Sequence, residues 1–213
     1  TNIANHTPNE DVVGNGWSRD LNDGQWVVDG GKLRENSLVP RINSNDYRAI
    51  IDSGASDVTV ELDVKVSDFG DQFWGIIVRW ESDDDWILAF HDKNGQIVLG
   101  KNTSDEKANG DSFPGANGWQ PMGRANYDMD PRKKAHKLKV VTIGNDIFVY
   151  ANGDLVITGF DDDHTDNTVM GVMSRGVGTN EFDKFSVKQD GAEGGKGGGK
   201  GGGKPPKAST AES

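Results

Sequence analysis

The sequence predicts an all-β protein, a two-sheet antiparallel sandwich followed by a flexible tail. Three observations carry that prediction. In Asp57–Ser67, Val58, Val60, Leu62, Val64 and Val66 share one parity, and Thr59, Glu61, Asp63, Lys65 and Ser67 share the other. Strand side chains alternate faces, so this stretch is a strand with one dry and one wet face. Turn-forming pairs then punctuate the apolar runs: Asn94-Gly95, Gly144-Asn145 and Asn152-Gly153 supply the positive φ angles that tight hairpins need. No long stretch repeats with the 3.6-residue period of a helix.

The elements follow in order. Residues 1–16 are polar and turn-rich and read as an N-terminal arm or a first edge strand. Trp26-Val-Val28 and Lys32-Leu-Arg34 flank Asp29-Gly-Gly31 as a hairpin, and Tyr47–Asp52 is a short strand that Gly54 ends. Beyond the alternating strand, Gln72–Trp80 is apolar on both parities, as expected deep in a sandwich. Trp86–His91 and Gln96–Lys101 form a hairpin, so the reading places four antiparallel strands in the central stretch. Residues 103–135 show no periodicity and read as one long loop, although Trp119, Met122, Arg124, Tyr127 and Met129 are too much apolar surface for a merely solvated one. His136–Ile143, Asp146–Ala151 and Asp154–Phe160 form a three-stranded meander, and Val169–Ser174 and Glu181–Val187 close the domain. The sandwich is thus expected over 17–188 and a Gly/Lys-rich tail over 189–213. The tail sets four lysines against Asp190, Glu193 and Glu212, a balance near +1. It reads as a spacer, or as a basic tether for an acidic surface.

Composition narrows the function classes. The chain has 213 residues and a net charge of −11, which argues against sequence-independent DNA binding by the folded part. No apolar run reaches the ~18 residues of a membrane span. Cysteine is absent, which rules out disulfides and thiolate metal sites but settles no compartment. Thr1-Asn-Ile-Ala does not read as a signal peptide, which leaves either an initiator Met removed or a longer leader cleaved before Thr1.

The order of these pieces resembles a family. Trp26–Leu33, the strand Val58–Val66, Phe73–Arg79, Trp86–His91, the meander His136–Phe160, Gly171–Gly176 and Phe182–Val187 together look like the concanavalin A-like, laminin G-like domains of bacterial and phage surface proteins. The resemblance implies a jelly roll of two curved antiparallel sheets. It also implies a concave face or rim loops that often bind glycans, and often a calcium ion. Fold does not fix function, so the site is argued from residues.

Some relatives of this fold are retaining glycosidases with Glu-x-Asp-x-(x)-Glu on one strand. Here the nearest match is Glu61-Leu-Asp63, and the next slot holds Lys65 or Val66, so the second catalytic carboxyl is missing. None of His6, His91, His136 and His164 sits in a nucleophile context or at metal-ligand spacing. Calcium needs several oxygen ligands, which acidic loops supply. Asp83–Asp85 is one such loop, and Asp161, Asp162, Asp163 and Asp166 form the favoured one. Against that, aspartate is common in turns for local reasons. For a glycan, aromatic faces and hydrogen-bonding side chains are needed; Trp119, Arg124 and Tyr127 in the long loop, and Arg79, fit, while Trp74, Trp80 and Trp86 read as core. The expectation is a non-catalytic glycan-binding or adhesion module, extracellular or on a virion or microbial surface. The alternative is a phage capsid decoration or appendage subunit that uses the fold as a scaffold, joined to capsid subunits through the tail. A hydrolase is disfavoured by the broken carboxylate motif.

Overall fold

A computed structural model describes residues 2–5, 17–20, 26–29, 32–37, 47–66, 73–82, 84–92, 94–103, 118–127, 134–175 and 178–189. The tail beyond Gln189, most of the N-terminal arm, Asp83 and the 104–117 connection lie outside these residues. The strands are β1 (Asn2–Asn5), β2 (Trp17–Asp20), β3 (Trp26–Asp29), β4 (Lys32–Ser37), β5 (Tyr47–Asp52), β6 (Val58–Val66), β7 (Phe73–Ser82), β8 (Asp85–His91), β9 (Gln96–Asn102), β10 (Trp119–Asn126), β11 (His136–Ile143), β12 (Asp146–Ala151), β13 (Asp154–Phe160), β14 (Val169–Arg175) and β15 (Gly178–Gln189). They form two antiparallel sheets. The first runs β13-β12-β11-β6-β15-β4-β3, with β1 also paired to β15; the second runs β10-β9-β8-β7-β14-β5-β2. This is the two-sheet antiparallel sandwich expected from the alternation, in the jelly-roll form that the resemblance implied.

Turn chemistry explains the hairpins. Between β12 and β13, Asn152 takes φ 50 and Gly153 φ 100, the double positive φ of a I′ turn. Between β8 and β9, Asp92 Oδ1 accepts hydrogen bonds from the backbone N–H of Asn94 at 2.8 Å and of Gln96 at 2.9 Å, an aspartate closing a turn over its own backbone.

Two features depart from the sequence reading. The chain crosses between sheets after β6, so β6 pairs with β11 and β15 rather than with β7. The central stretch is therefore split across the layers. In addition, part of the expected long loop is strand β10, which pairs with β9. Pro121 and a bulge between Pro121 and Gly123 break its alternation, and so hide it from a period-2 search.

Apolar side chains of both inner faces meet in the main core, which includes Val60, Leu62, Val64, Trp74, Ile76, Ile87, Leu99, Val140, Val149 and Phe182. Each such side chain contributes about 1.5–3 kcal/mol on burial. A second buried cluster, Phe73, Ile77, Trp80, Trp86, Leu88, Phe90, Val98, Trp119 and Met173, lies on the opposite face of the second sheet. This is why β7 to β9 are apolar on both parities. On the outer face of the first sheet, Glu61 pairs with Lys137 and Asp63 with Lys184, each at 2.7 Å.

Candidate functional site

Residues expected to carry function fall into two places. The first is one end of the sandwich, where β7 and β9 end, β8 begins and the 161–168 loop passes. A bulge between Val78 and Ser82 interrupts the β7–β8 ladder, and Arg79 takes φ 54. That inversion puts Trp80 in the outer cluster, away from Trp74 in the main core. Arg79 itself is 1% exposed. Its guanidinium donates to the carbonyl oxygen of Gly144 and lies 3.8 Å from Asp161. Arg79 was expected to face a ligand; instead it is buried in an ionic cluster.

Asp161 is the centre of that cluster. It is 1% exposed, and it lies 3.3 Å from Lys101 Nζ and 3.1 Å from His164 Nδ1. It also accepts a hydrogen bond from the His164 backbone N–H at 3.0 Å. Burial alone would raise its pKa, but the hydrogen bonds from His164 and the charges of His164 and Lys101 prevail and hold it at about 2. His164 spans two carboxylates, with Nδ1 on Asp161 and Nε2 on Asp85. The Asp161 hydrogen bond lifts its pKa, burial opposes and Asp85 adds, so that it reaches about 9 and the imidazolium is charged at neutral pH. Lys101 also pairs with Asp163 at 2.6 Å; burial works against its ammonium, yet the bonds to Asp163 and Asp161 raise its pKa. The cluster therefore staples β7, β8, β9 and the 161–168 loop together.

Two sets of side chains here could hold a metal ion: Glu81, Asp85 and His164, and Asp161, Asp163 and His164. The four aspartates expected to form a calcium site do not make one. Asp162 and Asp166 belong to neither set and face solvent. Asp161 is already neutralised by Lys101, Arg79 and His164, and a calcium ion takes six to eight oxygens rather than imidazole nitrogen. The donor set does not fit calcium. Lys101 and the pairing of His164 with Asp85 escaped the sequence reading because the partners are remote: 79 residues separate His164 from Asp85 and 60 separate Lys101 from Asp161.

The second place is β10 and its neighbour β9. Trp119, expected to offer a ring to a sugar, is 1% exposed and packs against Trp86 and Phe90 in the outer cluster. Tyr127 packs on the main core and donates its hydroxyl to the Ala151 carbonyl at 3.2 Å. Arg124 is exposed on β10 opposite Val98, whose side chain belongs to the outer cluster. Two residues on, Asn126 lies opposite Gln96, whose amide donates to it at 2.9 Å. Strand geometry thus sets Arg124, Asn126 and Gln96 on one face at one edge. Deeper on this face, the Arg48 guanidinium stacks 4.3 Å from the Trp80 ring and 5.9 Å from that of Trp86.

No family model matches the chain, and no curated protein matches its sequence. Solved structures do match. The CBM66 carbohydrate-binding module from Bacillus subtilis is similar with a TM-score of 0.61 at 19% identity, over 82% of this chain and 96% of that one. The laminarinase from Rhodothermus marinus gives 0.60 at 12% identity over 87% and 95%. A Bacillus subtilis protein of unknown function with a galectin-like fold gives 0.57 at 10% over 81% and 89%. At these identities the likeness is one of fold, a concanavalin A-like sandwich, and does not reach a laminin G-like family.

Proposed function

We propose that this chain is a non-catalytic carbohydrate-binding module of an extracellular or virion surface, and that it holds sugar hydroxyls at the β9–β10 edge of its second sheet. The observation that carries the reading is the row of Gln96, Arg124 and Asn126 on one solvent-facing edge. Planar amide and guanidinium groups fixed on strands are suited to hydroxyls that both donate and accept. The similarity in fold to a carbohydrate-binding module supports it. So does the strand itself: a retaining glycosidase needs two carboxyl groups, but Lys65 or Val66 fills the slot of the second one, and Glu61 and Asp63 are paired with lysines. Binding is proposed to be independent of calcium, since the buried aspartate is served by cationic side chains.

Titration calorimetry of the full chain against neutral oligosaccharides in the presence of EDTA tests this. Binding should survive EDTA, and Arg124→Ala should weaken it about tenfold, the loss of one charged hydrogen bond. Release of reducing sugar, or no binding to any oligosaccharide together with stoichiometric capture by a capsid, would replace it with the hydrolase or the scaffold reading.

A further inference from the structure

His164 is held by one ring nitrogen and presents the other to two carboxylates. Its Nδ1 lies 3.1 Å from the buried Asp161 carboxylate, which the His164 backbone N–H also grips at 3.0 Å. A carboxylate on one nitrogen fixes the ring and makes the opposite nitrogen a better metal donor. That opposite nitrogen, Nε2, faces Asp85 on β8, and Glu81 near the end of β7 stands beside them. The donor atoms of Glu81, Asp85 and His164 all lie within 4.8 Å of one another. His164 is buried, Asp85 half-buried and Glu81 exposed, so the set has a dry side and a side open to solvent.

The neighbouring set, Asp161, Asp163 and His164, differs in charge. Lys101 Nζ already sits 3.3 Å from Asp161 and 2.6 Å from Asp163, and Arg79 flanks Asp161. A dication there would meet two fixed positive charges at short range. Glu81 and Asp85 have no such cation. Among the described residues no lysine or arginine pairs with either; Glu81 accepts from the Asn167 amide at 3.3 Å, and Asp85 meets His164 itself. With a neutral imidazole the two carboxylates carry a charge that one dication balances.

We propose that Glu81, Asp85 and His164 Nε2 bind a divalent transition metal of the zinc type at this end of the sandwich. One imidazole nitrogen with two carboxylate oxygens suits zinc and its neighbours, whereas calcium takes oxygens alone and more of them. Three protein ligands and an open side leave the fourth tetrahedral position to water. Ligand atoms about 2.0–2.2 Å from zinc stand roughly 3.4 Å apart, so Asp85 withdraws slightly from Nε2 and the exposed Glu81 swings in. Zinc takes the Nε2 lone pair, the proton on Nε2 leaves to solvent, and the Nδ1–H bond to Asp161 is kept. The ion then ties β7, β8 and the 161–168 loop together.

Titration calorimetry of the full chain with zinc chloride, after EDTA treatment and dialysis, tests this. The expected result is one zinc per chain. Glu81→Gln and Asp85→Asn should each raise the dissociation constant at least about tenfold. Glu81 is exposed, so its variant should keep the wild-type circular dichroism spectrum, and a loss of binding there is not a loss of fold. Asp163→Asn should bind zinc as wild type does. In nitrogen-15 spectra the His164 Nε2 resonance should move on zinc addition while Nδ1 keeps its proton. The absence of zinc binding overturns the proposal. So does binding that survives His164→Gln, or binding lost in Asp163→Asn but kept in Glu81→Gln. Gln96 and Asn126 lie at the opposite end of β9 from Lys101, and oligosaccharide binding is measured in EDTA, so the two readings fail independently.

Discussion

Replacing His164 with Gln removes a charge from a buried cluster while retaining an amide that can still bond to Asp161. In the folded protein the His164 pKa stands at about 9, against 6.5 for an unperturbed imidazole. A base whose pKa is raised on folding stabilises the fold fully below the unfolded value, and that stabilisation is lost as pH rises through the folded one. With 1.36 kcal/mol per unit, the shift corresponds to something on the order of 3 kcal/mol. His164 is 3% exposed, so solvent screens little of it. Urea unfolding of wild type and His164→Gln, at several pH values across the window, measures it. The wild type should be more stable by about this amount below pH 6.5, and the gap should close between pH 6.5 and about 9. Lysines and tyrosines that titrate nearby are common to both proteins and cancel in the difference. A gap that does not change with pH would show that His164 acts only through shape, and the charged staple would be refuted.

Two further outcomes are expected. A Cβ at position 171 would meet the Ala49 carbonyl oxygen at 2.1 Å and Ile50 Cα at 2.9 Å, both backbone atoms of the adjacent strand, so Gly171→Ala should cost about 1–3 kcal/mol or more in chemical denaturation. His91 is fully buried and stacks on Trp74 at 5.4 Å; burial is the main cause of its pKa falling to about 4. The unfolded chain takes up this proton first, so His91 makes stability fall as pH drops from 6.5 to about 4. His91→Phe should flatten that part of the acid limb in urea titrations.

Legibility in the sequence followed the range of the forces involved. The alternation of β6, the Asn-Gly turn at 94–95 and the meander from His136 to Phe160 are local patterns, and each stands where the pattern puts it. β10 was hidden because Pro121 and Gly123 are poor strand residues, tolerated there only because an edge can bulge. Of the candidate site, Arg124 was read as a ligand residue of a long loop and stands exposed on strand β10. Arg79 and Trp119, read the same way, are buried: the bulge in β7 turned one inward, and the packing of Trp86 and Phe90 covered the other.

Side-chain alternation and turn residues, read along the chain, were sufficient for two antiparallel sheets and most strand positions, because both act within a few residues. Folding decided which strands became neighbours, and with that which charges met. Asp161 and His164 share one loop, but Asp85, Arg79 and Lys101 come from distant parts of the chain, and only the closed sandwich draws them within a few ångströms of that pair. Coulombic and hydrogen-bond energies depend on those distances in space and carry no mark in the order of residues.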